Sequence, residues 1–405
     1  MTEQQILELG PRLAAYLRGF ERYFLRHQTI GHFRDFCRGL MSDVPRKSVE
    51  PIALAAGVTV RTMQMFLTNG AWDHFGHRDH LQCLLVDALR EISDDGLGTV
   101  GLLDETSAVK KGDKTPGVQR QHCGAAGKVE NCIVTVHLGL ARGRFKTLID
   151  ADLFLPESWD QDRKRCREAG IPDDLHHRAK WEIGLEQLER AQRNGLRFDW
   201  LTFDEGYGRA PRFLALLDFA GQRYVGEVPT NFSCRTSRSP RARRADWILN
   251  SAAARGQSWR RFRLRRETEA PQIWEAKIVP IRLSRGSPQS HQLIAARNVE
   301  TREMKYFVTN APRSTSLERL LRVAFSRWKI EHCFRVMKSE VGLTHYEGRK
   351  YAGLMRHMIA CLTLLAFVAQ HTERLRGEKY RGDDGASMPS AERPLLDPQG
   401  PETSN

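Results

Sequence analysis

The 405-residue chain lacks the sequence patterns that define several large classes of protein. Its eight cysteines form no CxxC pair and no short Cys/His cluster, which excludes a disulfide framework and a conventional zinc module and indicates a reducing compartment. The N-terminal residues MTEQQILELGPRL have neither the basic start nor the apolar core of a signal peptide. The most apolar helix-like run, Met358 to Ala369, is predicted to be too short to span a bilayer. We therefore expect a cytoplasmic protein that is not embedded in a membrane.

Acidic residues are also few relative to basic ones. The chain has 49 Asp and Glu against 63 Lys and Arg, so its formal net charge is +14. A surplus of this size favours a polyanionic partner, of which nucleic acid is the commonest, although a basic protein from an arginine-rich proteome would show it too. The hydrophobic fraction of 40% is enough to bury real cores, and the length predicts two to three folded units.

Residues 1–95 are predicted to be all-helical, because apolar residues recur at helical spacing along them. The stretch Val49 to Leu67 has the pattern of a helix-turn-helix. In that reading Ala53 packs against the partner helix, Gly57 makes the turn, and the second helix runs from Arg61 onward. An ordinary helical hairpin accounts for the same spacing, and the positive charge of the chain is what favours DNA binding.

Residues 96–231 have the sequence pattern of alternating strands and helices. Their order is β-β-β-α-β-α-β, which predicts an α/β fold with a mixed sheet and helices packed on it. The predicted elements are the strands Thr99–Leu103, Cys132–Leu140 and Phe145–Asp150, the helix Ala179–Arg193, the strand Phe198–Phe203, the helix Ala210–Ala220 and the strand Arg223–Val228.

Residues 232–310 are predicted to form a basic, β-rich insertion, with alternating runs at Ile273–Ile281 and Lys305–Val308. The segment begins with a cationic tract at residues 235–266, and so dense a run of positive charge repels itself without a polyanion. The arginines of this tract are Arg235, Arg238, Arg241, Arg243, Arg244, Arg255, Arg260, Arg261, Arg263, Arg265 and Arg266. Three tryptophans, Trp247, Trp259 and Trp274, interleave with them; stacking on bases is one reading, and packing in the core of the insertion is favoured.

Residues 311–375 are predicted to be helical, with long helices at about Leu317–Val341 and Ala352–Leu375. Residues 376–405 are rich in Pro, Gly, Ser and acids and are predicted to be a disordered tail.

Two predicted strands lead into an acid in the same way, GLLDET at Asp104 and LTFDEG at Asp204. A carboxylate at the end of a buried strand is held rigidly, as a ligand of a hard cation such as Mg²⁺ or Mn²⁺ must be. Two such ions, roughly 3.5–4 Å apart, suit phosphodiester displacement. Asp is also a common turn residue after strands, so each position has a structural alternative.

A third acid lies in the helical pattern RWKIEHCFRVMK. Arg327, Glu331 and Lys338 fall within roughly 40° of one another on one predicted helix face. They could form an ion-pair ladder worth tenths of a kcal/mol. They could equally be a metal ligand between two cations that bind phosphate. The spacing alone does not separate the two.

The Asp, Asp, Glu order, spaced 100 and 127 residues apart, resembles the DDE transposases of bacterial insertion sequences. Arg327-x3-Glu331-x6-Lys338 matches the signature of the insertion-sequence 4 superfamily. More closely, the chain resembles the insertion-sequence 701 family over about residues 99–375. The segments that carry this resemblance are LLDETSAVKKG, GVQRQHCGAAGKVENC, LFLPESWDQDRKRCREAGIP, FDEGYG and RWKIEHCFRVMKSEVGLTHYEGR.

The resemblance implies a ribonuclease-H-like mixed-sheet catalytic core, in two parts, 96–231 and 311–375, with 232–310 inserted before the helix that carries Glu331. A helical DNA-binding domain, 1–95, would precede the core, and the tail 376–405 would follow it. The resemblance also implies that Asp104, Asp204 and Glu331 are the catalytic metal ligands, holding two Mg²⁺ or Mn²⁺ ions. The chemistry would be hydrolysis at transposon ends, followed by attack of the freed 3′-hydroxyl on target DNA.

The implied partner is DNA, both the terminal inverted repeats and the target, and pairing two ends implies a homodimer in a nucleoid-associated complex. Arg327 and Lys338 would contact phosphates, and further contacts are expected from Lys110, Lys111, Arg120, Arg243, Arg244, Arg260 and Arg261. A solvated hairpin is the alternative for the loop that contains Lys110. The signature usually has a tyrosine where this chain has Ala324, so hairpin chemistry is not implied. A decayed or domesticated copy that binds DNA without cutting, and a helix-turn-helix regulator, are the alternative functions.

Overall fold

The computed structural model describes residues 3–236, 241–249, 251, 254, 256–264, 271–283 and 290–382. The chain divides into two compact units. The first unit comprises Met1–Ser93, Leu103–Arg197 and Lys329–Lys379. The second comprises Asp94–Leu102, Phe198–Trp328 and Tyr380–Asn405, of which residues 383–405 lie outside the described part.

The N-terminal part of the first unit is helical, as predicted. Its helices are α1 (Glu3–Leu7), α2 (Leu9–Arg18), α3 (His27–Met41), α4 (Val49–Ala55), α5 (Val60–Asn69) and α6 (His74–Arg90), with a short 3₁₀ helix at Glu21–Tyr23. Aromatic rings fill their core: Trp72 stacks on Phe24 and Phe66, with ring centroids 5.1 and 5.7 Å apart. The predicted pair of helices on either side of Gly57 is confirmed as α4 and α5.

Four strands contribute to the sheet of the first unit: β1 (Thr99–Val109), β2 (Gln119–Cys123), β3 (Lys128–Arg142) and β4 (Phe145–Leu153). Only the part of β1 from Leu103 onward belongs to this unit. β3 lies between β1 and its antiparallel partners β2 and β4. β3 is buried from Cys132 to Ala141, which agrees with the nearly unbroken apolar run of its sequence. β2 was not predicted, because its sequence QRQHC is polar and shows no apolar alternation.

Helices α6 and α9 (Lys180–Arg193) pack on this sheet, and α7 (Glu157–Asp160) and α8 (Arg163–Ala169) precede α9. Charged side chains are buried beneath α9. The Arg190 guanidinium donates to Asp150 at 2.6 Å and to Asp152 at 3.2 Å, while Asp150 is fully buried. Such a buried cluster is tolerated only when every charge is paired, and it joins α9 to β4.

The second unit begins with the start of β1, where Asp199 N–H donates to Thr99 O and β5 is the neighbouring strand. It continues through β5 (Trp200–Phe203), α10 (Glu205–Gly208), α11 (Pro211–Phe219) and β6 (Val225–Val228). A parallel bridge joins Leu201 of β5 to Tyr224. The predicted β-rich segment is confirmed as β7 (Ser233–Thr236), β8 (Arg243–Arg244), β9 (Arg260–Leu264), β10 (Gln272–Leu283), β11 (His291–Asn298) and β12 (Met304–Thr309), with α12 at Ala245–Leu249.

These strands form a sheet of order β6-β12-β11-β10-β7-β8, with β9 on β10. β6, which the sequence assigned to the core, is therefore hydrogen-bonded to the last strand of the basic segment. A buried pair holds this sheet to α11: His291 Nε2 lies 2.9 Å from Asp218 Oδ2.

The prediction of one continuous helix over Leu317–Val341 is wrong. It is divided into α13 (Leu317–Ser326), α14 (Trp328–Val336) and a π turn at Met337–Val341, which ends at Gly342 with φ +81°. Residues 317–341 contain neither proline nor any glycine, so the pattern of helix-forming residues did not reveal these breaks. Arg327 lies at the junction of α13 and α14, in helical φ and ψ.

The final helix α15, Tyr351–Gly382, corrects two predictions. It extends beyond the apolar run Met358 to Ala369, and Tyr351–Gly377 is long and apolar enough to cross a membrane by length and composition. Its most apolar window is, however, 83% buried inside the protein, so α15 is a core helix. It also continues through residues 376–382 of the predicted tail; one reason is that Arg376 pairs with Glu373 within the helix.

Candidate active site

Asp104 is the sixth residue of β1, within the strand and not at its end as predicted. The strand continues to Val109, and two of the residues after Asp104, Thr106 and Val109, are β-branched and so favour a strand. Leu102 and Leu103 before it are fully buried, whereas Asp104 itself is half-buried. The carboxylate is therefore anchored on a rigid strand but remains accessible from one side.

Lys338 and Asp104 interact within the first unit. Burial lowers the pKa of Lys338, and the nearby negative charge of Asp104 partly opposes this shift. The ammonium lies 5.8 Å from the centroid of the Phe334 ring. The π turn, which contains Lys338, differs from the straight helix that the sequence predicted, so the direction of this side chain could not be read from α-helical spacing.

Helix α14 carries Glu331 and packs on β3 through neighbouring contacts. Ile330 Cδ1 lies 3.7 Å from the position of a Cβ on Gly139, and the Phe334 ring meets the edge of His137 at 5.2 Å. Glu331 is exposed on this helix. Since β3 neighbours β1, the structure places the helix of Glu331 and the strand of Asp104 on the same sheet of the first unit.

His137 is a residue of this region that the sequence did not single out. It is fully buried, its Nε2 is hydrogen-bonded to Thr135 Oγ1 at 2.7 Å, and its ring supports Phe334. Burial, and next the charge of Lys338, lower the pKa of His137 to about 3. The imidazole is therefore neutral, and it acts as a packing surface under α14.

Asp204 directly follows β5 in the second unit, so the prediction of an acid at a strand end is confirmed there. Its Oδ1 accepts hydrogen bonds from the N–H groups of Gly206 and Tyr207, at 2.9 and 3.4 Å. This caps α10, which is the structural role that was the alternative for such an acid. The two roles are compatible, because a capping carboxylate still has acceptor sites left.

Other acids are engaged elsewhere. Glu105, next to Asp104, receives the Lys180 ammonium at 2.5 Å, a pair that the sequence did not reveal. In the described part of the chain, no group of three or more His, Cys, Asp or Glu is gathered closely enough to hold a metal ion. Arg327 belongs to the second unit and Glu331 to the first.

The structure gives Lys110 an internal role. Its ammonium donates to Thr344 O at 3.1 Å and to Tyr346 O at 2.5 Å, and burial lowers its pKa to about 8. It thus holds the segment that follows the π turn. Lys111 and Arg120 are exposed. Contacts of these three residues with DNA stay predictions.

The four arginines predicted in the basic segment are all exposed in the second unit: Arg243, Arg244, Arg260 and Arg261. Arg244 forms a bidentate pair with Asp246, and Arg261 donates to Glu275. Arg238, Arg255, Arg265 and Arg266 lie outside the described residues.

The three tryptophans of this segment have different surroundings. Trp274 is buried, which confirms packing for that residue, and Trp259 is half-buried with the cations of Lys277 and Arg297 over its ring at 4.9 and 4.5 Å. Trp247 is 59% exposed, so the expectation of core packing is wrong for it.

Comparison with known proteins gives two matches. The family model described as DDE superfamily endonuclease matches residues 19–278, which is more than half of the chain; the match includes Asp104 and Asp204 and ends before Glu331. A probable transposase for insertion sequence element IS701, from Microchaete diplosiphon, is 27% identical over 219 residues, 53% of this chain and 53% of that protein. The chain therefore spans about half the length of this curated relative. The resemblance found in the sequence is confirmed, and the chain belongs to the DDE superfamily endonuclease family.

Proposed function

We propose that the protein is a transposase that cleaves the ends of an insertion sequence and joins them to target DNA. The observation that carries the proposal is that β1, which contains Asp104, and α14, which contains Glu331, both lie on the sheet of the first unit, where α14 packs on β3 through Ile330 and Phe334. Lys338, in the π turn that follows α14, is half-buried and interacts electrostatically with Asp104, which supports a role beyond a solvated ion-pair ladder. Family membership and the similarity to the IS701 transposase support the same activity.

We infer a ribonuclease-H-like core. Three features support it: antiparallel β3 and β4, β1 between β3 and β5, and the parallel bridge from β5 toward β6. The order of the acids along the chain also agrees with such a core. Asp104 lies on the central strand β1, Asp204 follows the neighbouring strand β5, and Glu331 lies on a helix packed against β3.

Asp104, Asp204 and Glu331 would hold divalent metal ions, Mg²⁺ or Mn²⁺, and two ions suit the chemistry. The donors fit this class, because all three are carboxylates, which hard cations prefer. The two aspartates are also preorganised, Asp104 by a rigid buried strand and Asp204 by two backbone N–H groups. When bound, the ions supply charge stabilisation at the scissile phosphate and activation of the attacking oxygen.

The protein's own cations would position the DNA. Lys338 is half-buried beside the Phe334 ring and interacts electrostatically with Asp104, so it would neutralise a phosphate beside the scissile one. Arg327 and the exposed arginines of the basic segment would contact the backbone farther away. Two copies of the chain would pair the two ends, in a cytoplasmic, nucleoid-associated complex.

The test is cleavage and joining of the element's own ends, which are the inverted repeats that flank the gene, by purified protein in Mg²⁺. We expect both reactions with the wild type and neither with Asp104→Ala, Asp204→Ala or Glu331→Gln. Glu189→Gln is the matched control, since Glu189 is an exposed acid on α9. If the wild type performs neither step, or if Asp104→Ala and Glu331→Gln leave both intact, the proposed function is wrong. Binding without cutting would identify a decayed copy.

A further inference from the structure

The helices α4 and α5 of the first unit are joined by a turn that is held from both sides. Gly57, with φ +67°, donates to Leu54 O at 3.1 Å, and Val58 N–H donates to Ala53 O at 3.0 Å, which is the Schellman arrangement. Thr59 then caps α5 by accepting from Thr62 N–H at 3.1 Å. The two helices are therefore a rigid pair with a defined angle, not two helices joined by a loose loop.

Close packing also determines which face of α5 is turned outward. Ala53 is fully buried, and a Cβ on Gly39 of α3 would lie 2.5 Å from Ile52 Cγ2, so α3 and α4 are in very close contact. Met63, Phe66 and Leu67 form the buried stripe of α5. The opposite face of α5 is consequently directed away from the core.

The outward face of α5 carries side chains suited to reading base pairs. Arg61, Gln64 and Met65 are exposed and Thr68 is half-buried, and their positions i, i+3, i+4 and i+7 share one helical face. Arg pairs with guanine, Gln pairs with adenine, and an apolar group contacts the thymine methyl in the major groove, which is wide enough for a helix. α5 contains no acidic residue, in a chain of net charge +14.

We propose that α5 is a recognition helix that lies in the major groove of duplex DNA, with Arg61 and Gln64 contacting base edges. The inference rests on the proposed function only for the identity of this DNA, the ends of the insertion sequence. It names the residues that would distinguish those ends from other sequences, whereas the metal ligands would act on any phosphodiester placed beside them.

The experiment uses the full-length protein and a pool of duplexes randomised over about two helical turns. Selection is carried out in EDTA, so that cleavage does not enter. The affinity ratio between the selected and a scrambled duplex is then measured by fluorescence anisotropy. We expect the wild type to enrich one sequence, and Arg61→Ala and Gln64→Ala each to lower the ratio by roughly ten- to hundred-fold.

Arg61→Lys separates base recognition from charge. Lysine keeps the positive charge but lacks the planar fork, so the ratio should fall while binding to the scrambled duplex and its salt dependence are retained. Arg90→Ala is the control, because it removes an exposed cation from α6 and should leave the ratio unchanged.

Three results would overturn the inference: no sequence is enriched by the wild type; Arg61→Ala and Gln64→Ala keep the wild-type ratio; or Arg61→Lys discriminates as well as the wild type, which would assign Arg61 to phosphate. Failure of the proposed function looks different. A protein that selects a sequence through α5 but cuts nothing refutes the transposase activity alone, and a protein that cuts without any dependence on α5 refutes the recognition helix alone.

Discussion

Substitution of Arg190 by methionine tests whether the buried charges under α9 hold the first unit together. Arg190 Nη1 donates to Asp150 and Asp152, and Asp150 has no exposed surface. After the substitution, Asp150 retains a hydrogen bond from Gln82 at 3.1 Å and an ion pair with Arg78 at 3.8 Å. Arg78 also forms an ion pair with Asp79, at 3.0 Å. Removing one member of such a cluster costs about 3–5 kcal/mol of unfolding free energy.

That loss is a large part of the roughly 5–15 kcal/mol by which domains are stable, and it should lower the urea midpoint of the first unit by about 1–2 M. Because the chain has two units, hydrogen exchange of β4 and α9 is the appropriate measurement. Arg193→Met, an exposed position on the same helix, is the control and should change the free energy by less than about 0.5 kcal/mol. Adding Asp150→Asn to Arg190→Met should restore part of the stability, since the more deeply buried of the two carboxylates is then uncharged.

The same substitution has a predictable dependence on pH. Burial raises the pKa of Asp150, against the opposing charges of Arg190 and Arg78. A carboxyl with a raised folded pKa favours folding most when protonated, and this contribution is lost as pH rises through the folded pKa. Without Arg190 the pKa rises further, so the deficit should be largest near pH 7 and shrink toward about pH 4. A deficit of the same size at both pH values, or equal protection in Arg190→Met and Arg193→Met, would refute the reasoning.

Three further substitutions probe the site and its supports. Phe334→Ala should cost about 3–5 kcal/mol of unfolding free energy in urea denaturation, because the ring packs between His137 and Lys338; a cost below about 1 kcal/mol would contradict that packing. Gly208→Ala should reduce cleavage at least about ten-fold, because the new Cβ would lie 1.9 Å from Glu227 O and displace the helix that Asp204 caps. The control is Gly256→Ala, where the new Cβ would meet nothing within 4 Å, and it should leave the cleavage rate unchanged. Equal cleavage rates in Gly208→Ala and Gly256→Ala would show that α10 is not displaced. The unfolding free energy of His137→Phe should fall less in acid than that of the wild type. The pKa of His137 in the folded protein, about 3, is below its ordinary value, so its neutral form stabilises the wild type fully above about pH 6.5. This contribution is lost as the pH falls toward 3. Unfolding free energies at pH 7 and pH 4.5 measure this, and an equal loss in both proteins would show that His137 does not contribute.

Elements with strong periodicity were predicted well. The buried strand β3, the helix α9 and the pair α4 and α5 lie within a few residues of their predicted bounds, because their apolar spacing reports directly on one local conformation. The strand β2 was missed for the opposite reason. Its residues are polar, and their pairing with β3 depends on backbone hydrogen bonds, which leave no trace in the side-chain pattern.

In the candidate site, too, the sequence predicted the local features and missed those that depend on distant segments. Asp204 was predicted at the end of a strand and is found there, because β5 and the capped turn after it are local features. Asp104 is inside a strand, since the ladder beyond it is made with β3, which is distant in the sequence. Lys110 was expected to reach DNA, yet its ammonium is engaged by Thr344 and Tyr346, which lie more than 230 residues away.

The sequence by itself determined the order of the three acids, the excess of positive charge, the helix-turn-helix spacing and the family, since these depend on residue types and on separations along the chain. Only the tertiary structure decided which cation interacts with Asp104, that α14 packs on His137 and Gly139, and that the face of α5 with Arg61 and Gln64 is turned outward. Periodicity specifies which residues share a face of one element. Which element that face meets is set by packing between distant segments, where a buried glycine or a π turn changes the contact without changing the apolar pattern.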